Sequence, residues 1–155
     1  MGDYDTDDLA GMRIALAEAE NAAKVDEVPV GAVILRDGKV VGVGHNLTRR
    51  NQDPTAHAEM VAIRSAADST GSWWLEHCTI YVTLEPCAMC AGALVLARLS
   101  RLVFGAWDPK AGACSSLRNI VSDKRLNHKV DVTCGVLQEE CAESLQRFFK
   151  SLRQK

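Results

Sequence analysis

His57 and Glu59 stand two residues apart, and Cys87 and Cys90 stand three apart directly after Pro86. An imidazole and two thiolates are zinc ligands, and three protein ligands leave the fourth tetrahedral position open, as a catalytic metal requires. Glu59 is then a spare carboxylate beside that position. It could take a proton from a metal-activated water and deliver it elsewhere, which is general acid–base work. Two other readings of the set stand beside this one. A redox Cys-x-x-Cys pair would have no use for His57, and a closed structural zinc site would need a fourth ligand. The remaining histidines are His45, His77 and His128; His45 ends a strand, where it suits a capping or core role.

For these residues to meet, the elements that carry them must end at one place. Asp7-Asp8 can cap a first helix running to about Lys24. The apolar, β-branched run 28–35 reads as a strand buried on both faces, and Asp37-Gly38 turns tightly into an antiparallel partner over 39–46. Asp53-Pro54-Thr55 reads as a helix start, with the helix ending near Thr70-Gly71. A third strand over 78–84 leads to Pro86, which opens a helix to about residue 97. Strands over 102–105 and 130–136 and a closing helix over 139–152 complete the pattern, with a short helical candidate near 117–120. His57 and Cys87 thus fall in first turns of helices, where free N–H groups and the helix dipole favour a thiolate.

Strands three and four are joined by a helix, and about two dozen residues separate strands four and five; both pairs should be parallel. The expected product is a three-layer α/β/α domain with one mixed five-stranded sheet, spanning 9–155. The acidic N-terminus, 1–8, is expected to lack fixed structure.

Composition bounds the reading. With 155 residues, 47% of them hydrophobic and 25% charged, the chain has core enough for one domain without disulfides. Six cysteines allow a bridged framework, but no signal sequence accompanies them, and a cytoplasmic protein is expected. Cys78, Cys134 and Cys141 read as core residues and Cys114 as a loop thiol. No apolar run approaches the roughly 20 residues that cross a bilayer. The net charge of −2 argues against a strongly basic nucleic-acid groove. Asp3, Asp5, Asp7 and Asp8 carry much of that charge, however, and Arg147, Lys150, Arg153 and Lys155 cluster at the C-terminus. RNA binding is permitted, not shown.

His57-Ala58-Glu59 with Pro86-Cys87-Ala88-Met89-Cys90 resembles the signature of the zinc-dependent nucleoside and nucleobase deaminases. Val28-Pro29-Val30-Gly31-Ala32, His45-Asn46, Asp53-Pro54-Thr55-Ala56, Phe104-Gly105-Ala106, Asp108, Lys110-Ala111-Gly112-Ala113, Asn127-His128 and the Cys141…Phe148-Phe149 tail narrow it further. Together they resemble the bacterial tRNA-specific adenosine deaminases over about residues 9–153. The resemblance implies a cytidine-deaminase-like fold and one zinc ion per subunit on His57, Cys87 and Cys90. It implies hydrolysis of adenosine to inosine at the wobble position of a tRNA anticodon, that of an arginine tRNA. Glu59 would carry the protons, and Asn46 would hydrogen-bond the flipped nucleotide. Ala58 would add backbone contact, and Val30 and Leu84 would wall the base. Asp108, Lys110 and Phe149 would bind RNA, and the family is usually homodimeric.

Taken alone, Asn46 is also a strand-end turn residue, Asp108 and Lys110 are also ordinary turn chemistry beside Pro109, and Phe148-Phe149 is also core. Trp107, Pro109 and Cys114 depart from the family pattern. The rival within enzymes is a nucleobase or nucleotide deaminase of the same fold acting on guanine or cytosine. A catalytically silent zinc- and RNA-binding subunit would be expected to lack Glu59.

Overall fold

A computed structural model describes residues 6–154 of the chain. Five strands form one sheet, β1 (Gly31–Arg36), β2 (Lys39–His45), β3 (Cys78–Leu84), β4 (Arg101–Ala106) and β5 (Asp131–Cys134), in the order β2-β1-β3-β4-β5. The β1–β2 and β1–β3 pairs are antiparallel, while β3–β4 and β4–β5 are parallel. The mixed sheet and its parallel half are those expected from the connection lengths. Asp37 and Gly38 both take positive φ, 52° and 76°, which lets two residues close the β1–β2 hairpin with the strands' own twist.

Helices α1 (Thr6–Lys24), α2 (Ala58–Thr70), α3 (Ala88–Leu96) and α4 (Gln138–Arg153) cover the sheet. Alternation along the central strands divides the core. Ile34, Ile80, Leu102 and Phe104 pack with Ala58, Ala62 and Ala66 of α2 and Ala91 and Leu94 of α3. Val33, Tyr81 and Val103 face the other way, onto Met12 and Ala15 of α1 and Cys141 of α4. Three layers result. Small residues set the α2 contact: a Cβ on Gly44 would run into the backbone of Ala58 and Ala62, and one on Gly42 into that of Ala62 and Ala66. The edge strand can therefore hold α2 against itself at backbone distance.

Several boundaries differ from the sequence reading. β1 begins at Gly31, not Val28, since Pro29 has no N–H for a ladder. α2 begins at Ala58, not at Asp53. There the Asp53 carboxylate accepts hydrogen bonds from the backbone and hydroxyl of Thr55 at 2.8 and 2.7 Å, a local turn that competes with helix. His57 and Cys87 are consequently N-cap residues with extended backbone, one step ahead of the first turns. The short helix of the β4–β5 connection falls at Ile120–Ser122, later than 117–120. Cys114 lies in a loop, as expected, but is a buried member of the core.

The acidic N-terminus needs correction from Thr6 onward, because α1 already starts there. Asp8 is buried, accepts the Tyr81 hydroxyl at 2.9 Å, and is gripped by Arg101. Positions 1–5 of the expected unstructured segment lie outside the described residues. No helix among the described residues is long and apolar enough to cross a membrane.

Candidate active site

The antiparallel β1–β2 pair and the β3–α3 junction bring His57, Glu59, Cys87 and Cys90 to one end of the sheet. His57 Nδ1 lies 3.5 Å from Cys87 Sγ and 3.6 Å from Cys90 Sγ, and the three ligand atoms lie within 4.8 Å of one another. Zinc–nitrogen and zinc–sulfur bonds of about 2.0–2.1 and 2.3 Å at a tetrahedral angle put nitrogen and sulfur about 3.5 Å apart. The donor set therefore fits zinc in both chemistry and spacing.

The same groups are electrostatically poised. A hydrogen bond from Cys90 and then one from His57 push the Cys87 thiol down to about 3. The Cys90 thiol is pushed up as the donor to Cys87, with burial adding to the effect. His57 is raised, first by its hydrogen bond to Cys87. The shifts favour a thiolate at Cys87, and metal binding requires the ligands in their deprotonated forms.

Glu59 is almost fully buried, and burial pushes its carboxyl up to about 7, with the Cys87 charge acting in the same direction. A carboxylic acid that exchanges its proton near neutrality suits proton transfer.

These groups open into a cavity of about 300 Å³. Val30, Asn46, Ala58, Leu84 and Asp108 line it together with His57, Glu59 and Cys87. Asn46 closes β2, with its N–H donating to Val30 O at 3.1 Å and its amide to Thr48 Oγ1 at 3.4 Å. Lys110 and Phe149 are not in the cavity wall. They share a neighbouring groove with Gln146, Leu152 and Arg153, with Phe149 exposed and in edge contact with Phe148. Trp107 rests edge-on against Phe104, centroids 5.7 Å apart.

Sequence reasoning passed over Val28, Thr48, Ala111 and Glu85, all in the wall. Glu85 is buried and accepts four hydrogen bonds, from the N–H groups of Asp108, Cys114 and Ser116 and the Ser116 hydroxyl. Burial alone would raise its carboxyl, but the Ser116 hydroxyl and the three N–H donors outweigh it and hold the group below the usual range. The available signal was a glutamate wedged between a strand end and Pro86.

A sheet whose helix N-termini carry His-x-Glu and Pro-Cys-x-x-Cys around a nucleobase-sized cavity defines a deaminase. The MafB19-like deaminase family model matches residues 6–153. The tRNA-specific adenosine deaminase of Bacillus subtilis is 47% identical over 150 residues, 97% of this chain and 93% of that protein. That of Aquifex aeolicus is 46% identical over 142 residues, covering 92% and 93%. A solved structure from a study of A-to-I editing by tRNA:A34 deaminases at the wobble position superposes with a TM-score of 0.84 at 46% identity, covering 88% of this chain and 99% of the other. A guanine deaminase from Nitrosomonas europaea shares the fold at TM-score 0.79 and 21% identity, over 90% and 83% of the two chains. This chain belongs to the tRNA-specific adenosine deaminase family.

Proposed function

We propose that this protein hydrolyses adenosine to inosine at the wobble position of a tRNA anticodon, that of an arginine tRNA, as a cytoplasmic homodimer with one zinc ion per subunit. The observation that carries the reading is the buried Glu59 carboxyl sharing one cavity with His57 and Cys87, with Cys90 clustered on them. The family adds the choice of base and of RNA.

His57 Nδ1 and the sulfurs of Cys87 and Cys90 would hold zinc, which supplies Lewis-acid activation of water near neutral pH. The remaining steps belong to the chain. Val30 and Leu84 form apolar walls for a base turned out of the anticodon loop, where single-stranded RNA loses little stacking. The Asn46 amide hydrogen-bonds the flipped nucleotide, and the Ala58 backbone adds a contact.

Glu59 takes a proton from the attacking water and gives it to N1 as oxygen adds at C6. It then takes the second proton, that of the new C6 hydroxyl, and delivers it to the amino group as the C6–N bond breaks and the C6 carbonyl forms, so that water is consumed, ammonia leaves and inosine remains. Asp108 lines the cavity mouth, while Lys110 and Phe149 in the adjoining groove bind the flanking RNA.

Incubating the protein with an anticodon stem-loop bearing adenosine at the wobble position, in parallel with free guanine and cytosine, tests the assignment. Inosine should form only in the RNA. Consumption of a free base with no inosine would reassign the enzyme to small-molecule deamination.

A further inference from the structure

We infer that Glu85 is a positioning residue for substrate capture: it holds the loop 108–116 as one wall of the cavity, through backbone contacts rather than through the metal. The inference rests on the proposed RNA substrate. Glu85 follows β3 directly, so its backbone is fixed by the sheet, with its N–H donating to Ala106 O at 2.8 Å. Its carboxylate then reaches across to both arms of the loop. One oxygen accepts Asp108 N–H at 3.0 Å and the Ser116 hydroxyl at 2.5 Å. The other accepts Cys114 N–H at 3.1 Å and Ser116 N–H at 2.8 Å. All four partners are donors, so the site is matched to a charged carboxylate, which only accepts.

The middle of the loop is shaped to the same group. A Cβ on Gly112 would collide with the Glu85 carboxylate, so only glycine lets the chain close over it. Asp108 extends the order outward: its carboxylate accepts Lys110 N–H at 3.0 Å and Ala111 N–H at 3.2 Å, and its carbonyl accepts Gly112 N–H at 2.8 Å. Glu85, Asp108 and Ala111 all face the cavity. Releasing Glu85 therefore frees the wall that meets the nucleotide while His57, Cys87 and Cys90 keep their own contacts. A loop that must be ordered anew at each encounter weakens binding more than chemistry.

Glu85→Gln, which places donors against donors, and the milder Ser116→Ala are the variants to compare with wild type. Zinc content, thermal melting, amide exchange at Asp108, Cys114 and Ser116, and KM and kcat on the anticodon stem-loop are the readouts. Glu85→Gln should raise KM about tenfold with kcat within about threefold and zinc at one per subunit. Ser116→Ala should raise KM by a smaller factor, also at constant kcat and zinc.

Faster exchange in the loop with unchanged KM, or a fall in kcat accompanied by zinc loss, overturns the inference. If Glu85→Gln does not fold, Ser116→Ala alone decides between a KM effect and none. A wild-type protein that neither binds nor deaminates the stem-loop overturns the proposed function instead, and this inference with it.

Discussion

Asp8 and Arg101, 93 positions apart in the chain, form a two-pronged ion pair with both N–O distances at 2.7 Å. The pair ties the first turn of α1 to the start of β4, and Arg101 also reaches Thr133 of β5 at 2.8 Å. Breaking a pair whose acid is buried leaves a charge without its partner. Asp8→Asn should therefore lower unfolding free energy by about 2–3 kcal/mol, less than a fully buried pair because Arg101 is partly exposed. Urea melts of the two proteins measure it; equal midpoints would show that α1 docks without the pair.

The same pair sets an acid limit. Burial alone would raise the Asp8 carboxyl, but hydrogen bonds from Arg101 and Tyr81 outweigh it and lower it below its ordinary 3.8; Glu85 is likewise held below 4.5. A carboxylate depressed on folding stabilises the fold above its unfolded pKa, and the contribution disappears as pH falls through the folded value. The part of the stability that these two carboxylates supply should hold down to about pH 4.5 and fall below it. The gap to Asp8→Asn should close in the same range. A gap that stays constant to pH 2 would mean that Asp8 protonates equally in both states.

Gly44 offers a test of how the edge strand positions the site. Its missing side chain lets Ala58 and Ala62 of α2 lie on β2, and α2 carries Glu59 two residues after the His57 cap. Gly44→Ala should cost about 1–3 kcal/mol through overpacking, and by moving α2 it should lower zinc occupancy. Crystallography of the variant would show the helix displaced. An unmoved helix with full zinc would show that the backbone yields elsewhere.

The clustering of His57, Cys87 and Cys90 was legible in the sequence because its information is local: Cys90 follows the Cys87 cap by three residues, and His57 and Glu59 share one helix start. The parallel half of the sheet was legible from connection lengths alone. Less visible was anything that depends on a long-range hydrogen bond. Asp8 read as part of a loose acidic segment because nothing near it in sequence announces Arg101. Glu85 sat inside the most conspicuous motif of the chain, yet three of its four partners are backbone N–H groups, which leave no trace in residue types, and the fourth, the Ser116 hydroxyl, lies 31 positions away. The α2 start was misplaced for a related reason: Asp53 and Thr55 have the composition of a cap, and only geometry tells a turn from one.

Removal of the metal should separate ligands from their neighbours. Prolonged dialysis against chelator should abolish deamination and lower the melting temperature, since a bound ion stabilises only the folded state; one equivalent of zinc should restore both. Cys87→Ser and Cys90→Ser should each take bound zinc from one per subunit to near none. A variant lacking either sulfur that still carried stoichiometric zinc would remove that residue from the ligand set.

Glu59→Gln removes the group proposed to move protons and leaves His57, Cys87 and Cys90 in place. The stem-loop kcat should drop by about 10²–10⁴-fold with zinc retained, and a variant as fast as wild type would displace Glu59 from its role. Stability should move the opposite way in the metal-free protein. The Glu59 carboxyl is raised from 4.5 to about 7 by burial first, so ionising it opposes folding. That penalty is absent below about pH 4.5, grows as pH rises to 7 and is constant above it, reaching about 3 kcal/mol. Metal-free Glu59→Gln should accordingly melt higher than metal-free wild type at pH 8 and no higher at pH 4. Zinc should shrink the difference at pH 8, because a nearby cation favours the ionised carboxylate that the empty cavity disfavours.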